Sequence, residues 1–445
     1  MFPKTALVAL SFVAAVLGQQ PGSVDAENHP RLSVQQCNAN KSCTTLNREV
    51  TLDSNWRWLR HNVANTYNNC YTGSTWNTQY CSNPATCAQN CALEGANYAG
   101  TYGITTSGSS LTLKFTQQGP FGKNVGSRVY LMESPTAYQM FNMYNQEFTF
   151  DVDMSNLPCG LNGALYFVQM DKDGGMSRFP NNKAGAKYGT GYCDAQCARD
   201  IKFINGEANL LGWNASPTDP NAGKGQYGTC CDEMDVWEAN KMATAFTPRT
   251  CPMRGTSCAT FDNRYNGICD KDGCDFNNFR MGDKNFLGPG KTVNTNAKMA
   301  VVTQFISGSN GLLSEIKRFY VQNGRVIPNS YSTFPGLTTA NSLTDNIYST
   351  QKTLFGDFND FADNGGMAEM GRGFEKGMVL AMSIWDDHEA EMKWLDANYP
   401  ENKGPQHPRL IRALDVGAPA YVQANHPNAS VTFSNIKFGP LNSTF

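Results

Sequence analysis

Four carboxylates crowd seven consecutive positions in the segment CCDEMDVWEAN, residues 230–240. Asp232, Glu233, Asp235 and Glu238 follow two adjacent cysteines and surround one tryptophan. Like charges this close raise one another's pKa values, so a fold either leaves such a cluster solvated or uses it as chemistry. Two carboxylates about 5–5.5 Å apart across a glycosidic bond are the groups of a retaining glycosidase, one as nucleophile and one as acid/base.

The spacing of these carboxylates decides whether they converge. On a helix, at about 100° per residue, Asp235 and Glu238 would point about 200° and 140° away from Glu233. On a strand, Glu233 and Asp235 share a face because side chains alternate. Glu238 stands at an odd offset and joins that face only if a β-bulge adds one residue between them. Asp235 would then share a proton with one glutamate and hold its rotamer.

Two other structures fit a short acidic run. One is a solvated acidic edge strand. The other is a calcium loop, which needs ligands at alternating positions with Gly and Asn interleaved. Met234, Val236 and Trp237 occupy the intervening positions and disfavour calcium. The spacing of these carboxylates alone is therefore compatible both with a catalytic site and with a solvated acidic edge strand.

Composition points to a neutral partner. The chain has 445 residues, a net charge of -2 and 11% aromatic residues. Its 17% of charged residues lies below the roughly 25% usual for soluble domains. No run of basic residues is longer than a pair, which disfavours nucleic acid as a binding partner. The five histidines are scattered and no paired CxxC halves occur, so we expect no metal and no cofactor.

The N-terminus has the pattern of a secretory signal. Lys4 precedes an apolar run at 6–17, and Gly18 stands before Gln19. This predicts a signal peptide over 1–18 and a secreted, extracellular product. A membrane anchor is the alternative, but about 12 apolar residues are too few to span a bilayer.

Period-two runs dominate the rest of the chain. These β-rich runs, bounded by turn residues, are 148–154, 164–170, 301–306, 319–327, 378–385 and 430–438. The run 319–327 contains Asn-Gly, a strong hairpin signal. Long loops at 171–200 and 249–292 separate the strands, and a short helix is predicted around 386–397. The pattern predicts an all-β jelly roll whose loops build the site. Without repeats or a Pro/Ser/Thr-rich linker, we expect a single catalytic domain over 19–445 and no carbohydrate-binding module.

The chain also resembles the glycoside hydrolase family 7 cellobiohydrolases of the fungal type, from Leu32 to Pro440. The stretches that carry the resemblance are NWRW (55–58), GTYGITTSG (100–108), LPCGLNGALYF (157–167), AGAKYGTGYCDAQC (184–197), IKFINGEAN (201–209), CCDEMDVWEAN (230–240), DNRYNGICDKDGCDFN (262–277) and NASVTFSNIKFGP (428–440). It implies a concanavalin-like β-jelly roll sandwich of two curved antiparallel sheets, with loops that roof the concave face into a cellulose-binding tunnel.

The resemblance also implies residue roles. Glu233 would be the nucleophile, Glu238 the acid/base and Asp235 the orienting carboxylate. Asp194 and Gln196 would meet the glucose nearest the scissile bond. The sugar platforms would be Trp58, Trp385 and Trp394, and the polar sugar-binding positions Arg128, Asn162, Tyr166, Arg264 and Arg280, with Arg409 on the product side.

Fifteen cysteines in a secreted chain indicate a disulfide framework. The pairs implied by the resemblance are Cys37–Cys43, Cys70–Cys91, Cys81–Cys87, Cys193–Cys231, Cys197–Cys230 and Cys251–Cys269. Cys159, Cys258 and Cys274 remain. The family partner of Cys274 falls on Tyr348, and a Cys258–Cys274 pair is conceivable.

Two other departures concern the site. Arg249 stands where the family usually has His on the leaving-group side. The stretch 403–420 fits the family poorly, and shorter loops could open the tunnel toward a cleft.

We therefore expect a secreted, monomeric, retaining β-1,4-glucanase of the cellobiohydrolase type. Its partners would be cellulose and cello-oligosaccharides, with cellobiose released from reducing ends. The closest alternative is an endoglucanase of the same family. A non-catalytic, lectin-like glucan-binding protein is a third reading, which the intact Glu233/Asp235/Glu238 set disfavours.

Overall fold

The computed structural model describes residues 18–252, 256–258, 269–397, 399 and 416–445. All of the predicted signal peptide except Gly18 lies outside these residues. The long strands are β1 (Arg31–Cys37), β2 (Cys43–Leu52), β3 (Ser110–Lys114), β4 (Ser127–Ser134), β5 (Gln146–Asp153), β6 (Leu161–Val168), β7 (Glu233–Ala239), β8 (Thr244–Arg249), β9 (Met299–Ser307), β10 (Leu313–Gln322), β11 (Met378–Asp386) and β12 (Ser430–Pro440).

Short strands and helices build the loops. The short strands are Gln20–Pro21, Leu59–His61, Tyr71–Thr72, Thr75–Trp76, Cys91–Leu93, Ile104–Ser107, Thr116–Gly119, Gly122–Val125, Ala137–Tyr138, Met140–Phe141, Phe203–Ile204, Glu207–Ala208, Asn214–Ala215, Gly223–Lys224, Gly228–Cys230, Thr256–Cys258, Leu287–Gly288, Val293–Asn294, Arg325–Pro328 and Ser342–Leu343. The helices are Pro84–Asn90, Tyr98–Tyr102, Asp345–Phe355, Asp360–Asp363, Gly366–Lys376, Lys393–Asp396 and Pro419–Asn425, with a 3₁₀ turn at Ala186–Tyr188. Among the described residues, none of these helices has the length and apolarity needed to cross a bilayer.

Two antiparallel sheets pack face to face. One runs in the order β2–β4–β11–β6–β7–β8. The other runs β3–β12–β5–β9–β10. Strand β1 forms a hairpin with β2 and pairs in parallel with β12, which joins the two sheets at one side. This is the predicted β-jelly roll sandwich.

The core lies between the sheets and is built by the alternating inward side chains. Phe148, Phe150, Trp237 and Phe433 are all fully buried there. Each large apolar side chain removed from water contributes about 1.5–3 kcal/mol. Strand β6 is buried along its whole length because loops cover its other face.

The predicted strands are confirmed, and one helix prediction is largely wrong. Asn323 and Gly324 have φ of 54° and 73°, as a type I′ hairpin turn requires, and Gln322 pairs with Arg325. The helix expected over 386–397 exists only at Lys393–Asp396. Glu391 and Met392 have φ of 54° and 59°, a left-handed conformation that a right-handed helix cannot continue through.

The six disulfides that the resemblance implies are all present. The conceivable Cys258–Cys274 pair is wrong, because Cys274 is a free buried thiol that donates a hydrogen bond to the Gln351 side chain. Tyr348, at the family partner's position, is buried and stacks on Phe361 at 4.2 Å between ring centroids.

Candidate active site

Strand β7 carries an extra residue in its middle. On its β6 side, Tyr166 lies opposite Asp235 but Leu165 lies opposite Trp237. On its β8 side the register also shifts between Asp235 and Glu238. Val236 therefore has no register partner on either neighbour, which defines a β-bulge.

The bulge turns three carboxylates onto one face. Met234, Val236, Trp237 and Ala239 all enter the core between the sheets. Glu233, Asp235 and Glu238 point to the opposite, loop-covered side, because side chains alternate along a strand and the bulge adds one residue before Glu238. The bulge predicted from the spacing is confirmed.

Burial excludes the solvated acidic edge. Glu233 is 8% exposed, Asp235 3% and Glu238 6%. Asp232 behaves differently: it precedes the strand and accepts a hydrogen bond from the Cys251 amide at 2.6 Å. The run of four acids thus divides into three that face the site and one that holds a neighbouring loop.

The two glutamates have different partners. The backbone amide of Ala195 donates to Glu233 Oε2 at 3.1 Å. The Asn162 side-chain amide donates to Glu238 Oε1 at 3.1 Å, while its own oxygen accepts from the Ala239 amide at 3.0 Å. Glu238 Oε2 forms no hydrogen bond with any described residue. That oxygen is free to carry a transferable proton.

Arg249 supplies the cation of this cluster. Its Nε donates to Asp235 Oδ2 at 2.7 Å. Its Nη2 lies 3.7 Å from Glu238 Oε2, and its Nη1 donates to the Lys271 carbonyl. Because Arg cannot lose its proton, this position holds a permanent positive charge where the family usually has a titratable His.

Burial raises the pKa of both glutamates. The pKa of Glu238 rises to about 8, through desolvation and then the charge of Asp235, against lowering by Arg249 and Asn162. Desolvation, Asp235 and Asp194 raise the pKa of Glu233, and Arg249 opposes them. A glutamic acid that stays protonated to neutral pH can act as a general acid.

The register aligns further predicted residues with the carboxylates. Arg128 pairs with Ser383, Ser383 with Ala164 and Ala164 with Glu238, so the four lie in one row across the sheet. Tyr166, opposite Asp235, and the mutually paired Asn162 and Trp385 point to the same face by the same alternation.

Arg128 and Tyr166 contact one tyrosine. The Arg128 guanidinium lies 3.3 Å from the Tyr192 ring centroid and donates from Nε to Asp53 Oδ2 at 2.9 Å. The hydroxyls of Tyr166 and Tyr192 are 3.2 Å apart. This polar cluster adjoins Glu233, because Tyr166 lies opposite Asp235 and Val168 lies opposite Glu233. Burial is the main cause that raises the pKa of Tyr166, and the charge of Glu233 adds to it.

Two disulfides join the loop carrying Asp194 and Gln196 to the start of β7. Cys193 pairs with Cys231, and Cys197 with Cys230. The backbone carbonyl of Asp194 also accepts from the Cys231 amide at 3.0 Å. These links fix the Ala195 amide against Glu233.

The chain is similar to known proteins over nearly its whole length. The family model described as glycosyl hydrolase family 7 matches residues 21–445. A cellobiohydrolase from Daphnia pulex is 48% identical, with a TM-score of 0.92, over 96% of this chain and 100% of that one. The chain belongs to glycosyl hydrolase family 7.

Other solved structures of similar proteins include both cellulase types. A Melanocarpus albomyces cellobiohydrolase, solved with cellotetraose, is 46% identical with a TM-score of 0.90, covering 96% of this chain and 100% of that one. The Humicola insolens endocellulase EGI is 34% identical with a TM-score of 0.82, over the same shares of the two chains.

Among the remaining predicted sugar-binding residues of this family 7 chain, Trp58 and Arg280 lie on loops and Trp394 lies on the short helix Lys393–Asp396. Trp394 stacks on Trp385 at 6.2 Å between ring centroids. Trp58 donates to Asn69 and stacks on the exposed Tyr67. Arg280 forms an ion pair with Asp275, and the charge of Asp275 contributes to the raised pKa of Glu238. Arg264 and Arg409 lie outside the described residues.

Three features of the site were missed from the sequence. The Ala195 amide carries no sequence signal, since any residue has one. The sequence predicts Asn162 only as a sugar-binding residue; the structure adds a second role, since its side-chain amide donates to Glu238 and its oxygen accepts from the Ala239 amide. Arg249 was noticed only as a departure from the family, whereas its ion pair with Asp235 places it in the carboxylate cluster.

Proposed function

We propose that this protein is a secreted, retaining β-1,4-glucan hydrolase that releases cellobiose from the reducing ends of cellulose chains. The observation that carries the proposal is the bulge at Val236, which brings Glu233, Asp235 and Glu238 onto one buried face. The cellotetraose bound by the Melanocarpus albomyces relative supports a β-1,4-glucan as substrate. Six disulfides agree with an oxidising, extracellular location.

The mechanism would be a double displacement. The Glu233 carboxylate attacks the anomeric carbon as the glycosidic C–O bond breaks, and Glu238 gives its proton to the leaving oxygen. Glu238, now ionised, takes a proton from water. The resulting hydroxide oxygen bonds to the anomeric carbon, the Glu233 ester is released, and the β configuration is retained. Asp235 would keep the Glu233 carboxylate correctly oriented through both steps, and is itself held by a hydrogen bond from Arg249.

The contact between two loops supports exo attack. Strands β7 and β11 are both antiparallel to β6, so they run in the same direction. Glu233 lies level with Val379, through Val168, whereas Asp386 lies seven residues, about 23 Å, farther along. The loop 212–227, which leads into β7, nevertheless contacts the loop after Asp386: His388 Nδ1 donates to the Thr218 carbonyl at 3.0 Å.

Lys224 adds an ion pair with Glu389 at the same junction. Because the loop 212–227 starts beyond one end of the strands and its partner follows the other end, their contact bridges the two ends of this face. A bridge of this kind would hinder entry of internal chain segments, which favours a cellobiohydrolase over an endoglucanase with an open cleft.

Turnover of an aryl β-lactoside tests the chemistry. We expect the initial product to have the β configuration and cellobiose to inhibit competitively. Glu233→Gln should lower kcat roughly a thousandfold or more yet leave cello-oligosaccharide binding intact. Substantial residual turnover in that variant, or an α-configured first product, would contradict the assignment.

The mode of attack needs a separate measurement. On amorphous cellulose, an exo-acting enzyme places most new reducing ends in the soluble fraction. A majority of insoluble reducing ends would identify the endoglucanase alternative and would leave the retaining chemistry untouched.

A further inference from the structure

Arg318, on β10 in the second sheet, is buried inside the sandwich. Only 1% of it is exposed. Its Nη2 donates to the Val236 carbonyl and its Nε to Thr303 Oγ1 at 3.0 Å. The guanidinium also lies 4.4 Å from the Phe246 ring centroid.

This burial is energetically costly. Among the described residues Arg318 forms no ion pair with a carboxylate, and desolvation lowers its pKa. A buried charge without a counter-ion is tolerated only when its hydrogen bonds compensate for lost hydration. An apolar side chain at this core position would avoid the cost, so the contacts of the guanidinium require a reason.

The hydrogen bond to the Val236 carbonyl explains why an arginine is buried here. Val236 is the one residue of β7 without a register partner on β6 or β8. A bulge locally disrupts the ladder, so it needs donors from outside the sheet to satisfy the buried backbone. Arg318 reaches this carbonyl from the opposite sheet, 82 residues away in sequence.

We propose that Arg318 is a positioning residue that holds the bulge of β7 and thereby aims Glu238 at the leaving-group oxygen. The proposal rests on the proposed function of Glu238 as acid/base. Without Arg318, the Val236 carbonyl would lose the one side-chain hydrogen bond that reaches it from the opposite sheet among the described residues. The strand would then relax toward regular pairing, which turns every later side chain toward the other face. Glu233 and Asp235 precede the bulge and would keep their places.

The test uses the dependence of rate on the leaving group. Glycosyl transfer to Glu233 needs the acid when the leaving aryl oxide is a strong base, as with phenyl β-lactoside. It needs the acid little with 2,4-dinitrophenyl β-lactoside. We therefore expect Arg318→Met to lower kcat/KM for the phenyl substrate by about tenfold or more beyond its effect on the dinitrophenyl substrate. The inhibition constant Ki of cellobiose, which reports binding without the acid step, should change little.

Two comparison variants separate this role from lost stability. Leu111→Ala truncates a fully buried side chain on β3, in the second sheet, and should lower Tm without any leaving-group bias. Arg318→Lys keeps one donor and should recover part of the phenyl lactoside rate. Equal losses on both substrates in Arg318→Met, or the same bias in Leu111→Ala, would overturn the inference. If Arg318→Met does not fold, Arg318→Gln, whose amide is too short to reach, is judged by the same two ratios.

Glu238→Gln, measured in parallel, keeps the two proposals distinct. A strong leaving-group bias in Glu238→Gln without one in Arg318→Met refutes only the role of Arg318. No bias in Glu238→Gln itself would refute the acid/base assignment on which the inference rests.

Discussion

At the residue scale, one cation sets the charge balance of three buried acids. Arg249 contacts Asp235 directly and lies 3.7 Å from Glu238. Its charge lowers the pKa of both Glu233 and Glu238, against burial and against the charge of Asp235. Two aspartates on the surrounding loops oppose Arg249: Asp194 raises the pKa of Glu233, and Asp275 raises the pKa of Glu238.

Replacing this cation should move the whole pH profile. In the proposed mechanism Glu233 must be ionised and Glu238 protonated, so their pKa values would set the acidic and alkaline limbs of kcat/KM. Removing a positive charge disfavours both ionised forms and raises both pKa values. Arg249→Met should therefore shift both limbs to higher pH by about one unit, whereas Arg249→Lys should shift them less. A profile of kcat/KM on an aryl lactoside measures this, and an unchanged or acid-shifted profile for the Met variant would contradict it.

At the element scale, the loop 212–227 meets the loop that follows Asp386. Both His388 ring nitrogens face acceptors, the Thr218 carbonyl and Asp386 Oδ2 at 3.5 Å. A hydrogen bond to Asp386, with burial opposing it, raises the pKa of His388 to about 9. The ring is thus protonated, and able to donate to both, throughout neutral pH. The ion pair of Lys224 with Glu389 is solvent-exposed and so contributes only about 0–1 kcal/mol.

Weakening this junction should shift the mode of attack without changing the chemistry. Lys224→Glu places like charges opposite Glu389, so the loops should separate more often and admit internal chain segments. We expect more insoluble reducing ends on cellulose, with kcat/KM on an aryl lactoside within about twofold, because exposed pairs contribute little to the fold. The exchange Lys224→Glu with Glu389→Lys should restore the original ratio. A ratio insensitive to both variants would show that the junction does not gate access.

At the scale of the whole molecule, the buried Glu238 carboxyl makes the folded state less stable as pH rises. The folded state holds the Glu238 pKa near 8, above its ordinary value of 4.5. The unfolded chain therefore releases this proton first. The contribution of Glu238 to stability is present below pH 4.5 and is lost as pH rises toward 8.

Glu238→Gln removes this titration. Its Tm minus that of the wild type should increase between pH 5 and pH 8, because only the wild type loses stability there. The control is Glu375→Gln, a substitution of an exposed glutamate on the helix Gly366–Lys376, whose Tm difference should stay flat with pH. Thermal denaturation followed by circular dichroism gives both curves. A flat difference for Glu238→Gln would mean that the carboxyl is not perturbed in the folded chain.

Local periodicity determined much of this protein. Alternation predicted the strands at 148–154 and 378–385 and showed that Glu238 needs a bulge to join Glu233. Alternation is a property of neighbouring residues, so it can be recognised along a single segment.

Only the tertiary structure decided what holds that arrangement. The donor to the bulge comes from Arg318, the amide on Glu238 from Asn162, and the partner of His388 from a loop 170 residues away. Such contacts depend on which strands become neighbours and on where the loops cross, and no short-range pattern contains that information. The family resemblance supplied the expected carboxylate roles and the disulfide pairs, but not Arg249 as the cation paired with Asp235. That interaction became visible only when β7 and β8 were aligned side by side.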